Sequence, residues 1–327
     1  MTHQNVFSTS EWMPDDEMGH GYDMMIFDQG EDYSGKVRCT VIRKPSRAKS
    51  ERGVLYIHGF SDYFFQREMA EEFASHGYNF YAVDLRKYGR SIMPGQRKFE
   101  ARDLREYFDD IRAGLAAMEQ DGVREVVLMG HSTGGLTCSL FMQTEPVPQI
   151  KALVLNSPFL AWNLKGLKGT FGVPVLKTLG KVAPDMPVKS DKDDSYARSL
   201  SADYSGEWKY RRDWKPDSLP DVDAAWVRAV DIAQQALKSG GIKVPVLLMH
   251  SDKSAYPGDG PEAYATSDGI LNVDKIKEAG ARLGPHVTDV TIHDGLHDLV
   301  LSRPEVRRVV FSTIFIWLDK LFDTHKP

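Results

Sequence analysis

Apolar residues along this chain fall into short unbroken runs that alternate with stretches of helical spacing. The unbroken runs predict buried strands at residues 53–57, 78–83, 125–129, 152–155, 244–249 and 287–293. Spacings of three and four predict helices at residues 65–76, about 101–119, 133–143, 274–283 and 304–322. Two further segments, 23–27 and 36–43, flank a polar, glycine-containing turn and predict an antiparallel hairpin.

This alternation predicts an α/β fold. Strands that are apolar at every position are typical of a parallel sheet covered on both faces. We therefore expect a mostly parallel sheet of the eight-stranded type with helices on both faces. In such sheets the working site lies at the carboxyl ends of the strands.

The pattern breaks between residues 158 and 240. This stretch contains six prolines and four of the six tryptophans, and only 172–182 and 221–237 resemble short amphipathic helices. We predict that residues 158–240 form an inserted helical cap above a core made of residues 1–157 and 241–327. Residues 1–20 are polar and are interpreted as a loose N-terminal arm.

One predicted strand leads directly into a reactive-serine pattern. Residues 130–134 read Gly-His-Ser-Thr-Gly, between the strand at 125–129 and apolar residues at helical spacing. Strand, G-x-S-x-G and helix together predict a nucleophile elbow with Ser132 at its tip. The flanking positions are glycine because larger side chains would collide in so sharp a turn.

Four motifs together resemble the α/β-hydrolase superfamily, and more closely its monoglyceride lipase, lysophospholipase and serine aminopeptidase-like branch. They are HGFSDY at 58–63, DLRKYGRS at 84–91, GHSTGG at 130–135 and GLHD at 295–298. The resemblance covers about residues 50–156 and 242–325. The chain departs from the family at Lys87, where glycine is usual, and at Ser254, where counting from the strand end would place an acid.

The resemblance implies a catalytic triad in the chain order serine, acid, histidine. His297 follows the strand at 287–293 and is the predicted base, whereas His293 is a strand residue. Spacing of the two histidines by four suits metal ligands only on a helix, so we expect no metal. Asp268 is the preferred acid, since an aliphatic residue and a helix follow it. Asp252 is the main alternative, and Asp259 and Asp274 are weaker candidates.

The tetrahedral intermediate of acyl transfer needs two hydrogen-bond donors for its oxyanion. The predicted donors are the backbone N–H groups of Thr133, which follows the nucleophile, and Phe60, which follows His58-Gly59. His58 and His131 are interpreted as structural residues. Phe159, Leu160, Trp162 and Phe171 are candidates for lining an acyl pocket, although packing of the cap on the core would explain them equally.

These residues predict a serine hydrolase that cleaves carboxylic esters through an acyl-enzyme on Ser132, without metal or cofactor. The expected substrates are monoacylglycerols, lysophospholipids or other small acyl esters. Two alternatives remain open. One is an amide or peptide hydrolase of the aminopeptidase-like kind, in which Asp191, Asp193 and Asp194 would bind the amine of the substrate. The other is a non-catalytic ligand-binding protein. Acyl length, leaving group and oligomeric state are left open.

Composition and charge limit the partners and the location expected for this protein. The 327 residues carry a net charge of −5 and no basic run, so nucleic acid is not an expected partner. No run approaches the roughly 18 apolar residues of a membrane span, and no secretory signal is evident, so a cytoplasmic protein is expected. Two cysteines, Cys39 and Cys138, cannot build a disulfide framework.

Overall fold

The computed structural model describes residues 11–162, 172–190 and 192–323. The strands of this part of the chain are β1 (Met13–Pro14), β2 (Asp23–Asp32), β3 (Gly35–Lys44), β4 (Arg52–Ile57), β5 (Asn79–Asp84), β6 (Glu125–His131), β7 (Ile150–Asn156), β8 (Pro187–Val188), β9 (Val222–Asp223), β10 (Val246–Ser251) and β11 (Val287–Ile292). The α-helices are α1 (Arg67–Ser75), α2 (Phe108–Gln120), α3 (Thr133–Thr144), α4 (Val173–Val182), α5 (Ser195–Leu200), α6 (Ala224–Leu237), α7 (Pro261–Tyr264), α8 (Val273–Gly280) and α9 (Pro304–Asp323).

The main sheet has the strand order β1-β2-β3-β5-β4-β6-β7-β10-β11. The six strands from β5 to β11 in this order run parallel, and β1, β2 and β3 add an antiparallel edge. This confirms the predicted mostly parallel sheet: it has eight full strands, extended by the two-residue β1. Strands β8 and β9 pair separately as a short antiparallel ribbon.

The sheet is covered on both faces, and this explains the unbroken apolar runs. Successive residues of a strand point to opposite faces. In β4, Leu55 and Ile57 join an apolar cluster with residues of α2, α3 and α6, whereas Val54 and Tyr56 join a second cluster with residues of α1 and α9. All four side chains are fully buried. A half-exposed sheet would instead show alternation of apolar and polar positions.

The helix predicted over residues 101–119 begins later than expected. A 3₁₀ turn, Leu104–Tyr107, precedes α2. Its start is set by a capping box: the Asp103 carboxylate accepts from the Arg105 amide, and the Glu106 carboxylate accepts from the Asp103 amide at 3.0 Å. The capping box makes Asp103 the residue before the first turn, so the helical segment begins after it and not at residue 101.

The interpretation of residues 1–20 as a loose arm is wrong for residues 11–20. Met13–Pro14 pairs with β2, and the Trp12 ring lies 6.2 Å from that of Tyr81. Asp15 is 2% exposed and forms an ion pair with Arg90 at 2.8 Å. The polar composition concealed this docking, because a buried carboxylate is stable only with a cation that the sequence places 75 residues away.

Between β7 and β10 the chain builds α4, β8, α5, β9 and α6. Helix α6 packs on α3 of the core and on α4. Its start is fixed by Asp223, whose carboxylate accepts from the Trp226 amide at 2.7 Å. Among the described residues, no helix combines the length and the apolar character needed to cross a membrane.

Candidate active site

Ser132 occupies a strained turn between β6 and α3. Its backbone has φ 51° and ψ −117°, a left-handed φ that side-chain-bearing residues rarely adopt. The two neighbouring glycines are sterically required. A Cβ on Gly130 would lie 2.7 Å from the Gly134 carbonyl oxygen, and one on Gly134 would lie closer than 3.0 Å to the carbonyl oxygens of Ile57 and His58. The strain holds the serine at the carboxyl edge of the sheet.

His297 lies in the loop between β11 and α9, next to the elbow. Its ring centroid is 4.8 Å from that of His131, the residue before the serine. Its Nδ1 lies 2.9 Å from Asp268 Oδ2, and both side chains are buried. An imidazole that donates from Nδ1 presents Nε2 as a proton acceptor. The Ser132 hydroxyl has no hydrogen-bond partner among the described residues. A hydrogen bond between a catalytic serine and its base often tightens only when substrate is bound.

Asp268 reaches His297 from a long excursion of the chain after β10. The segment 255–266 loops outward and returns, so that Asp268 and Ser254 form a parallel bridge. The bridge places Asp268 beside Ser254, the position at which counting from the strand end would put an acid. The second carboxylate oxygen, Oδ1, accepts from the amides of Ile270 at 2.9 Å and Leu271 at 2.7 Å. These two hydrogen bonds fix the orientation of the carboxylate beside His297.

The alternative acids are engaged elsewhere. Asp252 accepts from the Asp294 amide at 3.0 Å, and its other oxygen lies 3.2 Å from Nδ1 of His293, whose side chain is 88% exposed. Asp259 accepts from the Tyr256 amide at 2.8 Å. Asp274 lies in the first turn of α8, where its charge suits the helix dipole. The structure thus brings Asp268 to His297 and places Asp252 in a turn.

The two predicted oxyanion donors belong to Phe60, in the loop after β4, and to Thr133, directly after the serine. A Cβ on Gly59, directly before Phe60, would lie 3.1 Å from the Ser132 Cβ, so the loop after β4 touches the elbow. Thr133 is the first residue of α3, where amides have no acceptor inside the helix. His58, by contrast, uses both ring nitrogens structurally: Nδ1 lies 2.8 Å from the Gly59 oxygen, and Nε2 accepts from the Leu85 amide at 3.1 Å.

Asn156, at the end of β7, links the elbow to the histidine loop. Its carbonyl oxygen accepts from the Ser132 amide at 3.1 Å, and His131 Nδ1 lies 3.1 Å from the same oxygen. Its side chain donates to Asp298 at 2.7 Å and accepts from the Leu299 amide at 3.1 Å. One buried residue therefore contacts both sides of the site, the elbow through its backbone carbonyl and the histidine loop through its side chain. Sequence reasoning missed it; the only signal was a polar residue ending an apolar strand.

A buried charged cluster lies beside this link. Potential ligand atoms of Asp62, His131 and Asp298 are within 4.8 Å of one another. Lys215 supplies a cation, with Nζ 3.0 Å from Asp62 Oδ1, and Asn156 and Gln66 donate to Asp298. Lys215 thus pairs with Asp62, and two side-chain amides hydrogen-bond to Asp298. Burial lowers the pKa of His131, and the imidazole of this residue is therefore neutral near neutral pH.

Phe159, Leu160 and Trp162 follow β7 directly, whereas Phe171 lies outside the described residues. The Phe159 amide donates to the Ser132 carbonyl oxygen at 2.9 Å, so this stretch starts at the elbow. A cavity of about 260 Å³ opens between α6 and α8, with Leu160 in its wall. Ser132 and His297 do not line it.

The sheet order, the strained serine turn and the histidine loop after the last strand define an α/β-hydrolase. Residues 48–257, more than half of the chain, match the family described as serine aminopeptidase, S33. The chain belongs to this family, which confirms the resemblance found in its motifs.

The chain is 27% identical over 275 residues to a monoacylglycerol lipase of Mycolicibacterium smegmatis, covering 82% of this chain and 88% of the relative. It is 26% identical over 214 residues to the phospholipase YtpA of Bacillus subtilis, covering 61% and 74%. A soluble variant of monoglyceride lipase from Saccharomyces cerevisiae superposes with a TM-score of 0.65 at 18% identity, covering 89% and 93%, and shares the fold. The names of the two sequence relatives agree with the predicted class, a hydrolase of carboxylic esters.

Proposed function

We propose that the protein is a serine hydrolase of carboxylic esters that forms an acyl-enzyme on Ser132. The observation that carries this proposal is the hydrogen bond between His297 and Asp268 beside a strained serine at the carboxyl edge of the sheet. A serine hydroxyl is a weak nucleophile and needs a base, and the base needs a third group to orient it. We assign these three roles to Ser132, His297 and Asp268.

In the proposed mechanism His297 Nε2 takes the proton of Ser132 as its Oγ attacks the acyl carbon. Asp268 orients the imidazole and stabilises its positive charge. The amides of Phe60 and Thr133 donate to the oxyanion, and such donors contribute about 3 kcal/mol each in known hydrolases. The imidazolium then gives its proton to the leaving alcohol. Water activated by His297 releases the acid and restores the serine.

The proposed substrates are monoacyl esters such as monoacylglycerols and lysophospholipids, or other small acyl esters. The names of the monoacylglycerol lipase and phospholipase relatives support this class. We further propose that residues 158–240 act as a cap over the site. Its contacts support this role: the Tyr196 hydroxyl accepts from the Asp298 amide at 3.1 Å, and the Tyr196 ring lies 5.8 Å from that of His297.

The acids considered for binding a substrate amine do not gather at the site. The Asp193 carboxylate accepts from Ser195 and from the Tyr264 hydroxyl, and Asp194 pairs with Arg198. Asp191 lies outside the described residues. An amide or peptide hydrolase therefore remains the second candidate only through the family's description.

Labelling with a fluorophosphonate probe tests the proposal. Wild type is expected to label, and Ser132→Ala is not, because the probe reacts with an activated serine. Ser157→Ala is the matched control: Ser157 is also buried with a positive φ of 44°, and its loss should leave labelling intact. Wild type that fails to label would point to the non-catalytic alternative.

A second measurement separates the two enzyme candidates. We expect p-nitrophenyl esters to be cleaved with a far higher kcat/KM than aminoacyl p-nitroanilides. The reverse order would make the protein an amidase.

A further inference from the structure

A row of aromatic rings runs around the candidate nucleophile, from one predicted oxyanion residue to the residue bonded to the serine backbone. The ring centroid of Phe60 lies 4.6 Å from that of Trp226. Trp226 lies 6.2 Å from Trp162, and Trp162 lies 5.0 Å from Phe159. Both ends of the row belong to residues that adjoin Ser132: Phe60 follows Gly59, which touches the elbow, and the Phe159 amide donates to the Ser132 carbonyl oxygen.

Two polar atoms are buried within this apolar row. The indole nitrogens of Trp162 and Trp226 are inaccessible to solvent, and neither has a hydrogen-bond acceptor within the described part of the chain. Three other tryptophans are satisfied: the indole N–H groups of Trp12, Trp208 and Trp317 donate to Asp121, the Leu301 carbonyl and Thr288. Among the described tryptophans, Trp162 and Trp226 are the two whose indole N–H is inaccessible to solvent and lacks an acceptor.

The position of Trp226 is set by the fold. It lies in the first turn of α6, where the Asp223 carboxylate accepts from its backbone amide at 2.7 Å. Its side chain is 6% exposed. A buried donor without an acceptor is destabilising, and an indole N–H can only donate. Such a cost is retained at sites where a ligand supplies the missing acceptor.

We propose that the indole N–H groups of Trp162 and Trp226 form a subsite for an acceptor oxygen of the substrate. This inference rests on the proposed ester hydrolysis and specifies its substrate. The preferred acyl group is apolar enough to pack on the four rings. It also carries an ether, hydroxyl or carbonyl oxygen a few bonds from the reacting carbonyl. A plain alkyl chain of the same length leaves both donors unmet, and sites built to donate discriminate strongly against such analogues.

The test uses matched esters that differ in one atom. The substrates are p-nitrophenyl hexanoate and its three analogues in which oxygen replaces carbon 3, 4 or 5 of the acyl chain. For each enzyme the measured quantity is the ratio of kcat/KM for an oxygen-bearing ester to kcat/KM for the hexanoate. Comparing this ratio between enzymes cancels the intrinsic reactivity of the esters.

In Trp226→Phe and Trp162→Phe, the ring is kept and the N–H is lost. We expect the ratio to fall by about 3- to 10-fold for at least one oxygen position, as for loss of one hydrogen bond. Trp317→Phe, whose indole donates to Thr288 at the surface, is the control and should retain the wild-type ratio. Fluorophosphonate labelling confirms that each variant is folded, and the two site variants provide independent readings.

Ratios that equal the wild-type value in both site variants, at all three oxygen positions, would overturn the subsite. The two donors would then be satisfied by buried water. A wild-type enzyme that hydrolyses none of the four esters would overturn the proposed function itself, and this inference with it.

Discussion

At the scale of single residues, the site depends on a few side chains whose surroundings are unlike those of their neighbours. Asp268 and Asp252 are both acids after β10, yet one is fully buried against His297 and the other lies in a partly exposed turn. The difference comes from the returning loop, since the bridge between Ser254 and Asp268 replaces sequence distance with spatial proximity.

The first prediction concerns these two acids. Asp268→Asn is expected to lower kcat on p-nitrophenyl butyrate by about 10⁴-fold, because an amide stabilises the wrong tautomer of His297 and cannot balance its charge. Asp252→Asn, the matched control, should retain nearly all activity, since it loses only contacts with the exposed His293 and one turn amide. A larger loss in Asp252→Asn would assign the acid to that residue.

At the scale of elements, the elbow shows how closely a strand and a helix must approach. Gly134, in the first turn of α3, faces the carbonyl oxygens at the end of β4 without room for a methyl group. The motif predicted that glycine was needed here. The structure adds the reason, which is the backbone of a different strand that ends at Ile57, 77 residues earlier in the chain.

Gly134→Ala is predicted to lower the free energy of unfolding by about 1–3 kcal/mol, since overpacking against backbone cannot relax by moving a side chain. Gly172→Ala is the control, because a Cβ there would meet nothing within 4 Å. Urea denaturation of both variants measures the difference. Equal stability of the two would show that β4 and α3 separate at little cost.

At the scale of the whole molecule, the segment between β7 and β10 is tied to the core by a buried ion pair. Lys215 and Asp62 have side chains that are only 14% and 2% exposed. Asp62 belongs to the loop that carries Phe60, so this pair connects the proposed cap to the candidate oxyanion loop. Removing the cation would leave a buried carboxylate beside that of Asp298.

Lys215→Met is therefore expected to destabilise the protein by about 3–5 kcal/mol, the usual cost of breaking a buried pair from one side. Lys192→Met makes the same substitution in the exposed pair with Asp221 and should leave the stability nearly unchanged. Chemical denaturation of both variants supplies the measurement. If Asp62→Asn restores stability to Lys215→Met, the loss is due to the unpaired carboxylate; if it does not, the pair is not the tie inferred here.

The local sequence determined most of the strands and the two turns that carry Ser132 and His297. Apolar runs predicted the strands of the parallel sheet, because a strand buried on both faces must be apolar at every position. The G-x-S-x-G turn and the glycine-containing loop at His297 were also visible, since local backbone geometry selects those residues. The prediction of a loose N-terminal arm was wrong at Asp15, because a distant ion pair holds that residue. The predicted helix at 101–119 was too long, because a capping box sets a later start.

Only the tertiary structure decided which distant groups meet. It brought Asp268 to His297 by closing a loop and left Asp252 beside His293, and it revealed Asn156, Lys215 and Trp226 as neighbours of the site. The local sequence does not reveal these contacts, because they depend on burial and on partners far along the chain. Local rules therefore determined the elements and the candidate nucleophile of this hydrolase. Packing determined the carboxylate that meets His297, the supporting network and the aromatic row that we propose selects the substrate.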